Sequence, residues 1–232
     1  MGHLPIFLDV AGRRCLVVGG GEVAERKVAS LLDAGADVTV ISPEITPGLS
    51  RHARVRKIDH LRRPYRPGDM EGAMLVYAAT DDADLHQRLY AEARARRVLI
   101  NVADVPSLCT FIAPAVMTRG ALKIAVSTGG ASPGMAARIV ARLERMFGPE
   151  YAVTLEVLRA ARRRLLEAEP DIKTRARKLT ALAASRIPEY LRKGDLDSVD
   201  AILLRHVGAG LDLLGLRERL RPKNSEDAQP VR

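Results

Sequence analysis

Cysteine is nearly missing from this chain. Cys15 and Cys109 are the only two in 232 residues, they stand far apart, and no CxxC is present. That excludes a disulfide framework and a cysteine-built zinc site. Histidine is also sparse: His3, His52, His60, His86 and His206 never stand four apart, so no helical metal pair is formed and no metal site is expected. Aromatic residues make up 3% and tryptophan is absent. A stacking platform for single-stranded nucleic acid is therefore not expected. No apolar run approaches the roughly 18 residues of a membrane span. The start, MGHLPIFLDV, lacks the charged leader of a signal peptide. A reducing cytoplasm and no membrane partner are the resulting expectations.

The chain does have a core and a charge. It is 47% hydrophobic with a formal net charge of +9. The excess is spread over the whole length rather than gathered into a basic tail. Two readings are open: a solvated basic surface, or attraction to a polyanionic partner rich in carboxylates or phosphates. Nucleic acid is the poorer partner, because the charge is diffuse and aromatics are few.

Short apolar runs alternate with helical periodicity through the first half. Arg14–Val18 reads as a buried strand. Val23, Ala24, Val28, Leu31 and Leu32 then recur at helical spacing up to Gly35. Asp37–Ile41 is a β-branched second strand, stopped at Ser42-Pro43. Val55–Ile58 is a weaker third strand and Met74–Ala79 a fourth. A helix is expected over 81–97 and a fifth strand over 98–102. Strands alternating with helices imply a doubly wound parallel α/β sheet. Phe111–Met117 and Leu122–Val126 read as two strands around Thr118-Arg119-Gly120, pairing as a hairpin or with a partner chain. Ser132-Pro133 opens a helix with Met135, Ile139, Leu143 and Phe147 on its apolar face. From Pro149 onward only helices are expected, with Leu155, Leu158, Leu165 and Leu166 as a buried stripe. The polar end, PKNSEDAQPVR, is expected to be disordered.

Chemistry concentrates at strand ends. Gly19-Gly20-Gly21-Glu22-Val23-Ala24 matches G-x-G-x-x-G/A, comes directly after a strand and opens a helix. Those glycines permit a tight turn and close approach of a pyrophosphate, which the helix N-terminus then receives. Ser42, Pro43 and Glu44 end the second strand without an Arg or Lys for a 2′-phosphate, which favours NAD over NADP. Lys27 either lines the cradle or is an exposed helix charge. Thr80 comes after the fourth strand and is a candidate cofactor contact; Asp81 or Asp82 is expected to cap the next helix. Asn101 ends the fifth strand. Asp104, three residues on, is either the carboxylate of an Asx-type turn before Pro106 or a base in the ligand crevice.

LPIFLDVAGRRCLVVGGGEVAERKVASLLDAGADVTVIS, AATDD, NVADVPSLCTFIAPA and VSTGGASPGMA, taken in order, resemble the siroheme synthase N-terminal region. That family comprises precorrin-2 dehydrogenases, some of them bifunctional with sirohydrochlorin ferrochelatase. The resemblance implies a Rossmann-like NAD-binding domain at 1–112, a small α+β dimerisation segment at 113–148, a C-terminal helical module closing over substrate at 149–221, and a tail at 222–232. It looks like a stand-alone form without the methyltransferase domain. It implies a homodimer, a polycarboxylate tetrapyrrole substrate and oxidation of precorrin-2 by NAD, with Fe2+ only as a substrate of chelation. The family's catalytic aspartate falls on Asp104. Glu22, Val23, Pro43 and Glu44 match its cofactor-contact positions. Ser127 and Thr128 stand where some members carry a phosphorylatable serine pair; with Arg119 and Arg138 they are the candidate substrate contacts. The alternative is an NAD-sensing regulatory module without catalysis.

Overall fold

The computed structural model describes residues 2–220. The expected disordered tail, 222–232, lies outside the described residues. The chain divides into two compact units that meet in sequence at Ala113–Pro114.

The first unit is a five-stranded parallel sheet in the order β3-β2-β1-β4-β5. β1 (Arg14–Val18) leads into α1 (Glu22–Asp33), then β2 (Asp37–Ile41), α2 (Pro47–Arg54) and β3 (Asp59–Leu61). The chain then crosses β1 to lay down β4 (Leu75–Ala78), α3 (Ala83–Arg96) and β5 (Leu99–Val102). Strands covered on both faces must be apolar throughout, which is why RCLVV and DVTVI read as near-continuous runs. One face packs Leu16, Val18, Val76, Ala78, Ile100 and Val102 against Leu89 and Ala93 of α3. The other packs Cys15, Val17, Val38, Val40 and Leu75 against Ala24, Val28 and Leu31 of α1. Each fully buried aliphatic side chain contributes about 1.5–3 kcal/mol.

The third strand departs from expectation. Val55–Ile58 is not a strand. Thr46 caps α2 by accepting the Leu49 amide at 3.2 Å, and Pro47 occupies the first helical position. Val55 closes that helix, Arg56 turns at φ 55°, and the strand begins only at Asp59. A cap and a left-handed residue override the weak β propensity of the segment. Asp82 caps α3 by accepting the Leu85 amide at 2.9 Å, as one of the two expected carboxylates.

In the second unit, β6 (Ala115–Arg119) and β7 (Leu122–Val126) pair as an antiparallel hairpin. Thr118 and Arg119 belong to β6, so the turn lies one to two residues later than the sequence suggests, at Gly120 with φ 57°. α4 (Pro133–Met146) comes next, capped by Ser132, whose hydroxyl accepts the Met135 amide at 3.2 Å. Its apolar stripe is not buried within the chain: Met135 is 59% and Ile139 40% exposed. α5 (Glu150–Ala168), α6 (Ile172–Ala183), α7 (Ile187–Lys193), α8 (Leu196–Val207) and the short α9 (Arg217–Leu220) complete the unit. Leu165, Leu182, Ile187, Val199 and Leu203 form its core. Leu165 is buried as expected, but Leu166 faces solvent, because it stands about 100° round the helix from the line of Val157, Ala161 and Leu165 that meets the core.

One ion pair, between the exposed Arg192 and the buried Glu150, ties α7 to the start of α5. Arg192 Nη2 donates to Glu150 Oε1 at 2.7 Å and Nε to the same oxygen at 3.0 Å. Burial pushes the Glu150 carboxyl up. The Arg192 guanidinium and nearby backbone amides outweigh it and hold the group below the usual carboxylate range. A carboxyl depressed in the folded state contributes stability above its unfolded pKa and loses it as pH falls through the folded value. Arg192→Met is therefore expected to lower Tm at pH 7, with the gap to the parent narrowing as pH falls below about 4.5. Thermal unfolding followed by circular dichroism across pH 3–7 checks this.

Candidate active site

The glycine turn is built around close backbone contacts. Gly19 has φ 121°, and its amide donates to Ile41 O at 2.9 Å. A Cβ on Gly19 would lie 2.0 Å from the Ala79 carbonyl oxygen, and one on Gly20 would lie 1.9 Å from that of Glu44. Gly21 is different. It sits at the N-cap of α1 with no side-chain cap, and a Cβ there would meet nothing within 4 Å. Two glycines thus serve the protein's own packing, and the third faces open space beside uncapped helix amides. That arrangement fits a pyrophosphate. Glu22 is exposed and Val23 half-buried in the first turn of the helix.

The connection from β1 runs outward to β2 and that from β4 runs the opposite way to β5, so a crevice opens at the carboxyl ends of β1 and β4. Ser42, half-buried, and Pro43 and Glu44, exposed, come after β2 on one side. Ser42 O lies 2.9 Å from His60 Nε2, and Thr46 N donates to Gly20 O at 2.9 Å, so this wall is tied to the glycine turn. Thr80 comes after β4, and its hydroxyl accepts the Asp82 amide at 3.1 Å. It belongs to the turn into α3.

Asp104 stands just past β5. The Ala103 amide donates to Ala78 O at 2.9 Å, extending the register of the sheet by one residue. Asp104 then adopts φ 59°, a left-handed conformation that costs a non-glycine residue about 1 kcal/mol or more. Its side chain is exposed and, among the described residues, has no hydrogen-bond or ion-pair partner. The expected Asx alternative is therefore not what forms: the carboxylate is free.

The segment after Asp104 makes its position rigid. The chain passes through a 3-10 turn, Pro106–Leu108, and folds back along β5. Thr110 N donates to Ile100 O at 2.8 Å, and Ile100 N to Thr110 Oγ1 at 2.9 Å. The Cys109 thiol accepts the Val102 amide at 3.2 Å and reaches the Val102 and Val105 carbonyls. Asn101 Nδ2 donates to Phe111 O at 3.0 Å and toward Cys109 Sγ at 3.6 Å. Asn101 thus holds the loop. Sequence reasoning missed Cys109 altogether, having weighed cysteine only for disulfides and metals.

Lys27 is not an exposed helix charge. It is half-buried, with Nζ 5.0 Å from the centroid of the Tyr77 ring, which packs edge-on to Phe111 at 5.5 Å. Burial pushes its ammonium down, Arg26 adds to the effect, and Cys109 and Asp104 oppose it.

The remaining candidates lie in the second unit. Ser127 Oγ accepts the Gly129 amide and Thr128 Oγ1 the Ser132 amide, each at 3.1 Å. Both hydroxyls shape the turn before α4. Arg119 donates through Nε to Phe147 O at 3.1 Å and pairs with Glu144 at 3.8 Å, fastening β6 to the end of α4. Arg138 is exposed on α4. Among the described residues, no group of three or more His, Cys, Asp or Glu gathers to hold a metal ion, and no helix is long and apolar enough to cross a membrane.

Comparison with known proteins agrees with this layout. A family model described as NAD(P)-binding matches residues 6–115, and one described as sirohaem biosynthesis protein central matches 119–146. A siroheme synthase from Methylobacillus flagellatus is 46% identical over 151 residues, covering 65% of this chain and 32% of its own length. One from Chromobacterium violaceum is 36% identical over 210 residues, covering 90% of this chain and 45% of its own. The chain thus spans less than half the length of these curated relatives. A solved structure titled SirC, precorrin-2 dehydrogenase, superposes with a TM-score of 0.69 at 25% identity, over 86% of this chain and 98% of that one. The glycine cradle, the doubly wound sheet and these matches together place the chain in the family of the siroheme synthase N-terminal region.

Proposed function

We propose that this protein oxidises precorrin-2 to sirohydrochlorin with NAD in siroheme biosynthesis. The observation that carries the reading is the unpartnered Asp104 carboxylate, fixed in a left-handed turn at the same sheet edge as the glycine cradle. Oxidation removes two hydrogens from carbon and nitrogen centres of the substrate, one as a proton and one as a hydride. Asp104 takes the proton; its carboxylate has every lone pair available because no group among the described residues uses one. NAD, when bound, takes the hydride. Gly21 and the first amides of α1 hold the pyrophosphate, with Gly19 and Gly20 setting the turn and Glu22 and Val23 at its rim. Ser42, Pro43 and Glu44 flank the adenosine end, and Thr80 and Asn101 border the nicotinamide end.

The reading assigns dimerisation to 113–148 and closure over the substrate to 149–221. The exposed Val116, Met135, Ile139 and Met146 support a homodimer, since an apolar stripe of this kind calls for a covering surface. The net charge of +9 suits a polycarboxylate tetrapyrrole, and a cytoplasmic location suits a two-cysteine chain. Fe2+ enters only as a substrate of chelation. An NAD-sensing module without catalysis is not favoured, because the matched relatives carry the names of enzymes.

The deciding assay is anaerobic turnover of precorrin-2 with NAD, followed by NADH and sirohydrochlorin absorbance; no product from well-folded protein overturns the reading. Adding Fe2+ to the product reads chelation in the same cuvette. Asn tolerates a left-handed backbone, so Asp104→Asn is expected to keep its Tm and NAD affinity while kcat falls about 100-fold or more. The glycines divide differently. Gly21→Ala places a methyl in open space, so unfolding stability changes by about 1 kcal/mol or less while the NAD Kd rises about tenfold or more. Gly20→Ala drives a methyl into the Glu44 carbonyl and is expected to cost about 3 kcal/mol or more. Denaturant titration and cofactor fluorescence measure both effects.

A further inference from the structure

Lys27 stands out among the cations of the first unit. Its ammonium rests over the Tyr77 ring at 5.0 Å, partly withdrawn from water. Among the described residues it has no carboxylate within 4.0 Å and no hydrogen-bond acceptor. The partly buried arginines of this unit are satisfied: Arg14 by the Asp69 and Glu71 carbonyls, Arg63 by Asp69. A partly desolvated charge with no counter-ion is unfavourable unless a ligand completes it.

Its location narrows the ligand. Side chains on a helix lean toward its N-terminus, and α1 begins at the carboxyl edge of the sheet. Lys27 therefore reaches toward that edge. It does so over β4, through Tyr77, whose neighbours in the sheet are Val17 and Asn101. It lies beyond the first helical turn, so it is not one of the amide positions of the pyrophosphate cradle. The groups whose charges act on it are Arg26 on its own helix and Cys109 and Asp104 on the loop after β5. This is the end of the crevice where the proposed base stands.

We infer that Lys27 binds a carboxylate of the substrate beside Asp104, orienting the tetrapyrrole against the base. The inference rests on the proposed dehydrogenase function and adds to it a specific anchoring residue. The ring face of Tyr77 holds the ammonium in place before substrate arrives. Lys27 takes no part in bond making; it fixes one acid side chain of the substrate and excludes poses in which that chain points elsewhere.

The test uses Lys27→Met, which keeps length and packing, and Lys27→Arg, which keeps charge. Sirohydrochlorin is titrated into each protein anaerobically without NAD, NAD affinity is measured separately, and precorrin-2 turnover is monitored with NAD saturating. For Lys27→Met the sirohydrochlorin Kd and the precorrin-2 KM are expected to rise about tenfold or more, with a smaller change in kcat. NAD affinity and Tm are expected to hold, and Lys27→Arg to recover most of the loss. A higher NAD Kd with unchanged tetrapyrrole constants assigns Lys27 to the cofactor and overturns the inference. Unchanged constants throughout overturn it too, while leaving the dehydrogenase function intact if the parent turns precorrin-2 over. A parent that neither binds sirohydrochlorin nor oxidises precorrin-2 removes both.

Discussion

The first unit depends on how closely backbone can approach backbone where β1 ends. At Gly19 and Gly20 the chain passes against the carbonyls of Ala79 and Glu44 at distances no side chain permits. Those two contacts draw the turn after β1 toward the segments beyond β4 and β2 at once. The direction in which α1 leaves the sheet, and hence the exposure of Gly21, is set by them. The crevice is therefore not a gap left over between elements. It is the space that remains after two glycines have been used to bring three strand ends together.

A second constraint acts at the other end of the crevice. A carboxylate on a mobile loop would sample many positions, and a base must hold one. Here the loop after β5 is fastened by a thiol, a threonine hydroxyl and an asparagine amide, all turned inward. Asp104 is the polar group left turned outward. The left-handed backbone at 104 is retained because residues on both sides of it are held by the sheet. Local strain and local order thus meet at one residue, and the surrounding hydrogen bonds account for both.

Much of this was legible in the sequence, for a definite reason. Buried parallel strands announce themselves as continuous apolar runs, and the glycine turn has a spacing that few other structures require. RCLVV, DVTVI and GGGEVA can be assigned to strands and a phosphate turn from their residues alone. Segments governed by capping and by single left-handed residues cannot. Thr46-Pro47 starts a helix that the apolar pattern does not show, and Arg56 delays the third strand. The roles of Asn101 and Cys109 were equally hidden. Whether an amide or thiol faces a ligand or its own loop depends on where the chain returns, and periodicity carries no information about that. Lys27 was ambiguous for the same reason: only the fold brings Tyr77 beneath it.

The strand order also bears on how the protein is made. β1 occupies the middle of the sheet but is synthesised first, and Leu75, the first residue of its second neighbour, is 57 residues beyond Val18. At translation rates of about 5–20 residues per second, one edge of β1 waits roughly 3 to 11 s for β4 to emerge. An apolar central strand with an open edge is an invitation to pair with other chains. The nascent chain thus passes through an interval in which its most buried strand is its most vulnerable, and that interval ends only when the strand that carries Tyr77 has left the ribosome.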